Sequence, residues 1–312
     1  MTTTRTQTHE RDAAAETIRF GVEFEVLLPR RCDIPRGSYS RPKRLDDHGF
    51  PPGWKSKSDS SVDTNQRGWR GYEFVSPPLR GRDGLAQIEQ VCKRLREAGA
   101  RVNATCGFHV HVEATSGCGA DDFRTVAAWV RRLVLHAANH ELAFYGASGS
   151  RRRLRSRYCR SIKHPDAWAQ YKDSVLAKKN PTYDEINNVG RWIGRYHSLN
   201  VRALVSHGTV EFRCFSGTVN ARKAKAWVQM ALALAMLARK RPTDFDAKPV
   251  TYADITTASG ALQRFFYLAG WVRGRKDYRK PACVAAGWIE DIDEIKNAKR
   301  ELRRLAQKFD GA

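Results

Sequence analysis

No stretch of this chain stays apolar for long enough to cross a membrane, so a helical membrane span is not expected. Its seven cysteines (Cys32, Cys92, Cys106, Cys118, Cys159, Cys214, Cys283) are scattered, with no CxxC pair among them. That spacing excludes a disulfide scaffold and a paired-cysteine zinc site, and a reducing cytoplasm is the expected setting. Acidic residues are few: 33 Asp and Glu stand against 55 Lys and Arg, a net charge of +22. Such an excess implies an anionic partner, whether nucleotide phosphate, nucleic acid or acidic polymer, and implies nothing about fold. Internal repeats and low-complexity segments are also missing. Residues 1–17 have no apolar signal core and read as a disordered lead-in.

What is present is a chain of 312 residues, 41% hydrophobic, with material for one large domain or two modest ones. The stretch 208–218 organises it. Val210, Phe212 and Cys214 alternate with Thr209, Glu211, Arg213 and Phe215, the period of a half-buried strand. Glu211 and Arg213 therefore share a face. One is an acceptor suited to Mg²⁺ and the other a planar fork suited to phosphate, although a salt bridge on a solvated sheet face gives the same pattern.

Three other stretches read alike. In the strand from Arg19 to Leu28, Phe20, Val22, Phe24 and Val26 face the core, leaving Glu23 and Glu25 side by side on the other face. A short strand at Tyr72–Val75, stopped by Pro77 and Pro78, sets Glu73 out of phase with Tyr72 and Phe74. Around Cys106–Glu113, His109, His111 and Glu113 oppose Phe108, Val110 and Val112.

Between them, residues 29–68 have the Arg, Pro, Gly and Ser content of a long surface loop, with a polar Asx or Ser turn in the stretch Trp54–Val62. Helices are expected over 83–98, stopped by Gly99, from the N-cap Asp121 to about Tyr145, and over 221–240. His136 and His140 lie four apart without an HExxH motif and read as packing or helix-surface residues. Residues 150–200 carry the densest positive charge, with Tyr158, Trp168, Tyr171 and Tyr183 interleaved. This pattern suits nucleic acid, particularly over 150–180, or a solvated lid. Past a linker at 242–249, the chain to Ala312 reads as a helical C-terminal extension.

A sheet with one packed face and one polar face would gather the four strands, giving an α+β fold. In this order, FGVEFEV, DSSV with YEFVSPPL, CGFHVHV, and RYHSLN with GTVEFRCFSGT resemble the amidoligase family over residues 18–240. That family belongs to the carboxylate–amine ligases with the fold of glutamine synthetase and gamma-glutamylcysteine ligase. The resemblance implies a mostly antiparallel sheet with a metal-lined polar face and helices on the other face. ATP and Mg²⁺ would activate a carboxylate as an acyl phosphate, which an amine converts to an amide. It further implies Glu23, Glu25, Glu73, His109 and Glu211 as metal ligands. His111, Arg195 and Arg213 would meet the nucleotide, Arg213 and Arg160 would stabilise the transferring phosphoryl group, and Asp59 would orient the amine. The carboxylate and amine can belong to a small molecule, a peptide or an anionic polymer. Rival readings are a nucleic-acid or polyanion binder with a degenerate or substrate-modifying ligase site, a metal-dependent hydrolase, and a guanidino-kinase-like phosphotransferase.

Overall fold

A computed structural model describes residues 18–64, 67–173, 182, 184–186, 188, 194–240, 255–272 and 292–312. The lead-in 1–17, the linker 242–249, and Lys178, Lys179 and Tyr183 of the basic stretch lie outside the described residues.

Among the described residues, seven strands form one sheet. They are β1 (Phe20–Pro29), β2 (Lys43–Arg44), β3 (Lys55–Lys57), β4 (Trp69–Val75), β5 (Gly107–Glu113), β6 (Leu199–Asn200) and β7 (Thr209–Ser216). Their order is β2-β3-β4-β1-β5-β7-β6, with every neighbouring pair antiparallel. Strand β1 is central because its apolar alternation extends over the whole element, with Phe20, Val22, Phe24, Val26 and Leu28 all buried. Helix α1 (Gly81–Glu97) carries the chain from β4 past β1 to β5, burying Leu85, Ile88, Val91 and Leu95. It ends at Gly99, whose φ of +75° suits a residue without a Cβ.

Of the remaining helices, α2 (Ala114–Cys118), α4 (Pro165–Tyr171) and α5 (Ala203–His207) are short. Helix α3 (Phe123–Ala147) is capped by Asp122, one residue later than expected, whose side chain accepts from the Thr125 N–H at 2.9 Å. Together with α6 (Ala221–Lys240), α3 covers the apolar face of the sheet. Trp227 of α6 stacks on Phe215 at 5.2 Å, and Phe144 of α3 stacks on Phe212 at 5.5 Å. Helices α7 (Ala258–Leu268) and α8 (Ile292–Asp310) complete the helical layer, adding Phe265, Leu302 and Leu305 to the same core.

Two expectations need correction. Residues 29–68 are more than a surface loop, because Ile34, Leu45, Phe50 and Trp54 enter the core and β2 and β3 extend the sheet. The fully buried Trp54 donates its indole N–H to Gln87 at 3.0 Å. Phe215 also lies on the helix side, not beside Glu211 and Arg213. The β5–β7 register shifts between Phe108 and Val110, so that Arg213 and Cys214 both stand opposite His109. This bulge breaks the alternation and turns Phe215 onto Trp227.

His136 and His140 are packing residues, buried and stacked on α3 at 6.3 Å. Burial, reinforced by Arg264, pushes His140 down to about 4. The unfolded chain, with an ordinary imidazole near ~6.5, then takes up a proton first as the pH falls. His140 therefore contributes stability above that value and loses it towards pH 4, a change of up to ~3 kcal/mol. Replacing His140 by Leu is expected to flatten the fall of Tm between pH 7 and 4. Parallel curves would show that His140 does not titrate there.

Candidate active site

The polar face of the sheet gathers the charged residues because the strand registers align them. Glu23 stands opposite His109, Glu25 opposite Glu73, His111 opposite Glu211, and Lys57 opposite Glu73. They line a cleft of about 820 Å³ whose outer wall includes Tyr39, Tyr158, Arg195 and Tyr196.

At its floor, Glu23, His111 and Glu211 each offer a ligand atom, all within 4.8 Å of one another. His111 Nδ1 is bonded to Thr209 Oγ1 at 3.0 Å, which fixes the ring. Its Nε2 is buried without a hydrogen-bond partner, 3.5 Å from Glu23 Oε1 and 3.9 Å from Glu211 Oε1. An imidazole held at one nitrogen, with the other directed at two carboxylates, fits a divalent cation. The expectation favours His109 for this position, but the geometry places His111 there. His109 is enclosed by carboxylates instead, with Nδ1 3.1 Å from Glu23 and 3.3 Å from Glu211, and Nε2 3.6 Å from Glu25.

Without a metal, these groups compensate one another. Burial opposes charge on Glu23, but the hydrogen bond to His109 and the nearby His111 imidazole outweigh it and hold the carboxyl well below its ordinary value. Glu211 is likewise held low, with burial overcome first by Arg213 and then by His111 and His109. In return, Glu211 and Glu23 raise His111 against its burial. Glu73 goes the opposite way, well above the usual range, through burial and then the Glu23 charge. It stands outside the ligand trio, bonded to Lys57 at 3.0 Å. Glu25 also stands outside that trio and accepts from the Gly107 N–H.

Arg213 reaches the cleft from the bulge. Its Nη1 pairs with Glu211, its Nε donates to the Tyr158 carbonyl, and its main-chain N–H donates to the Ser198 carbonyl at 2.9 Å. Arg195 lines the same cleft, held by the hydroxyls of Tyr39 and Tyr196. Arg160 is not brought in: its side chain is exposed and does not line the cleft, while its backbone bridges to His197. Asp59 lies on the rim, where Oδ1 accepts from both the N–H and the Oγ of Ser61 at 2.7 Å.

Several contributors escape a strand-by-strand reading. Asn200 Nδ2 donates to Glu211 Oε2 at 2.6 Å. Buried Arg153, counted in the sequence as part of the basic stretch, donates Nη2 to the Arg213 carbonyl at 2.6 Å. Glu141, buried on α3, accepts from Ser161 Oγ, the Ile162 N–H and Ser198 Oγ, anchoring the segment that holds Arg213. Only the phase of Thr209, which it shares with Glu211, is visible in the sequence.

Among solved structures, the chain is similar to a bifunctional glutathione synthetase from Pasteurella multocida, with TM-score 0.43 and 11% identity over 98% of this chain and 54% of that one. It is also similar to a GmaS–ADP complex, with TM-score 0.43 and 12% identity over 97% of this chain and 71% of that one. The chain thus spans about half the length of the synthetase. No curated protein matches it in sequence. The family model described as "putative amidoligase enzyme" matches residues 10–235, the greater part of the chain, and the protein belongs to this amidoligase family.

Proposed function

We propose that the protein is an ATP-dependent carboxylate–amine ligase. Family membership supports ligase chemistry in general. The observation that carries the finer reading is the buried, unpartnered His111 Nε2 directed at Glu23 and Glu211, with Arg195 and Arg213 on the same cleft. In the reaction, a substrate carboxylate oxygen attacks the γ-phosphorus of ATP and ADP leaves. An amine nitrogen then attacks the acyl carbon, phosphate leaves, and the amine gives up a proton. A Mg²⁺ held by Glu23, His111 and Glu211 would neutralise phosphate charge. Arg213, raised further above its ordinary value by Glu211 despite burial, stays cationic and stabilises the transferring group, with Arg195 across the cleft. Glu25 and His109 hold the floor in register, and Asp59 on the rim orients the amine. The aromatic wall of Tyr39, Tyr158 and Tyr196 limits water that would hydrolyse an acyl phosphate.

Two carboxylates and an imidazole also suit Zn²⁺, which favours the hydrolase as a second reading. Mn²⁺ titration with and without ATP, followed by paramagnetic resonance, separates the two. The ligase reading predicts that ATP tightens Mn²⁺ binding, and that His111→Ala weakens it about tenfold or more. Binding indifferent to both ATP and His111 counts against it.

A further inference from the structure

A second cleft, of about 910 Å³, adjoins the first at Asp59–Ser61 and is lined from both phases of β4, by Trp69 and Gly71 on the polar face and by Arg70 from the opposite phase. Residues 69, 71 and 73 share one phase of β4, so the face continues from Glu73 past Gly71 to Trp69. The segment Asp59–Thr64 crosses it and divides it in two. Val62 pins this segment by packing with Leu27 and Cys106. Gly71 permits its close approach, since a Cβ there would lie 2.8 Å from Val62 and 3.1 Å from the Asp59 carbonyl. Asp59, Ser60, Ser61 and Tyr158 line both clefts, so the divider is a shared rim.

Arg30, Arg36, Arg70 and Arg157 line the second cleft, and none is ion-paired with a described residue. Two of them are set in place. Arg36 donates Nε to the Gly71 carbonyl at 2.8 Å and lies over the Tyr72 ring. Arg157 donates to the Tyr158 hydroxyl at 2.8 Å and lies over that ring at 4.9 Å. Asp59 and Asp63 line the cleft too, so the four guanidiniums leave an excess of two positive charges, which suits a ligand carrying more than one negative charge.

We propose that this cleft binds the acidic chain of a polycarboxylate substrate, a glutamate-rich peptide, whose reacting carboxylate passes over the Asp59–Ser61 rim to the Glu23–His111–Glu211 centre. The choice of carboxylate over phosphate rests on the ligase reading, because the neighbouring centre then consumes a carboxylate. The arginines take the carboxylates that do not react.

The test measures binding of labelled hexaglutamate to the full chain by fluorescence anisotropy, without nucleotide or metal. Arg30 and Arg70 are exposed and make no side-chain hydrogen bond to a described residue, so Arg30→Ala/Arg70→Ala is expected to fold normally. It is also expected to weaken binding at least tenfold, with affinity falling as salt rises. Because a +22 chain attracts any polyanion, Lys296→Ala/Arg300→Ala on α8 removes the same charge elsewhere and is expected to change binding less than twofold. Equal weakening in both variants overturns the proposal, as does hexaglutamate binding too weak to detect. Tripolyphosphate binding more tightly than hexaglutamate, with the same dependence on Arg30 and Arg70, overturns the carboxylate class. Binding that depends on Arg30 and Arg70, with no ADP release on any carboxylate, keeps the cleft and sinks the ligase reading; ADP release without such binding does the reverse.

Discussion

Glu211→Gln is expected to lower metal-dependent ADP release by about a thousandfold while leaving the chain folded. Four groups converge on this carboxylate: Arg213 Nη1, Asn200 Nδ2 and the His109 and His111 imidazoles. An amide keeps the shape but loses the charge, and its NH₂ must face a donor that the second carboxylate oxygen accepted. Removing one preorganised charge from such a site costs roughly 10²–10³ in rate, and here a metal ligand goes with it. Glu211→Ala adds a stability loss of roughly 3–5 kcal/mol, because Arg213 stays buried without its counter-charge. Arg44→Ala breaks only an exposed pair with Asp46 and should change neither quantity measurably. Steady-state ADP release and thermal melts on the three variants check this. Retention of more than a tenth of the activity in Glu211→Gln removes Glu211 from the chemistry.

Gly107→Ala is expected to cost about a hundredfold in activity, although the added methyl group touches no substrate. A Cβ there would stand 2.8 Å from His109 Nε2, 3.1 Å from Glu25 Oε2 and 3.2 Å from Arg153 Nη2. It would displace together the imidazole beneath the metal site, the carboxylate that accepts the Gly107 N–H, and the guanidinium that holds the bulge. Overpacking of this size typically costs about 1–3 kcal/mol of stability, so the fold should survive. A displacement of about 1 Å at a reacting centre is enough for the loss in rate. The metal concentration for half-maximal rate should rise as kcat falls. An unchanged metal dependence would mean that His109 and Glu25 do not support the site.

Much of this arrangement is legible in the sequence, since period-2 alternation survives in β1, β4 and β5 and aligns Glu23, Glu25, Glu73, His109 and His111 on one face. Local pattern fails where a long-range contact decides. Trp54 and Leu45 lie in a segment of loop composition, yet they are buried because β3 pairs with β4 and supplies a wall to pack against. Phe215 departs from its phase because one extra residue in β7 is absorbed opposite His109, which only the pairing register reveals. The choice of His111 over His109 turns on Thr209, which fixes one ring and leaves its other nitrogen for a ligand. In a run of six arginines between 151 and 160, nothing local marks Arg153 as the buried one or Arg160 as the one outside the cleft.

The most direct test of the ligase account replaces the amine by hydroxylamine, with ATP, Mg²⁺ and pooled acidic peptides and amino acids, and counts hydroxamate against ADP. An acyl phosphate captured by hydroxylamine predicts one hydroxamate per ADP, both lost in Glu211→Gln. Hydroxamate formed without ATP, or ADP released at the same rate with every carboxylate omitted, would contradict it.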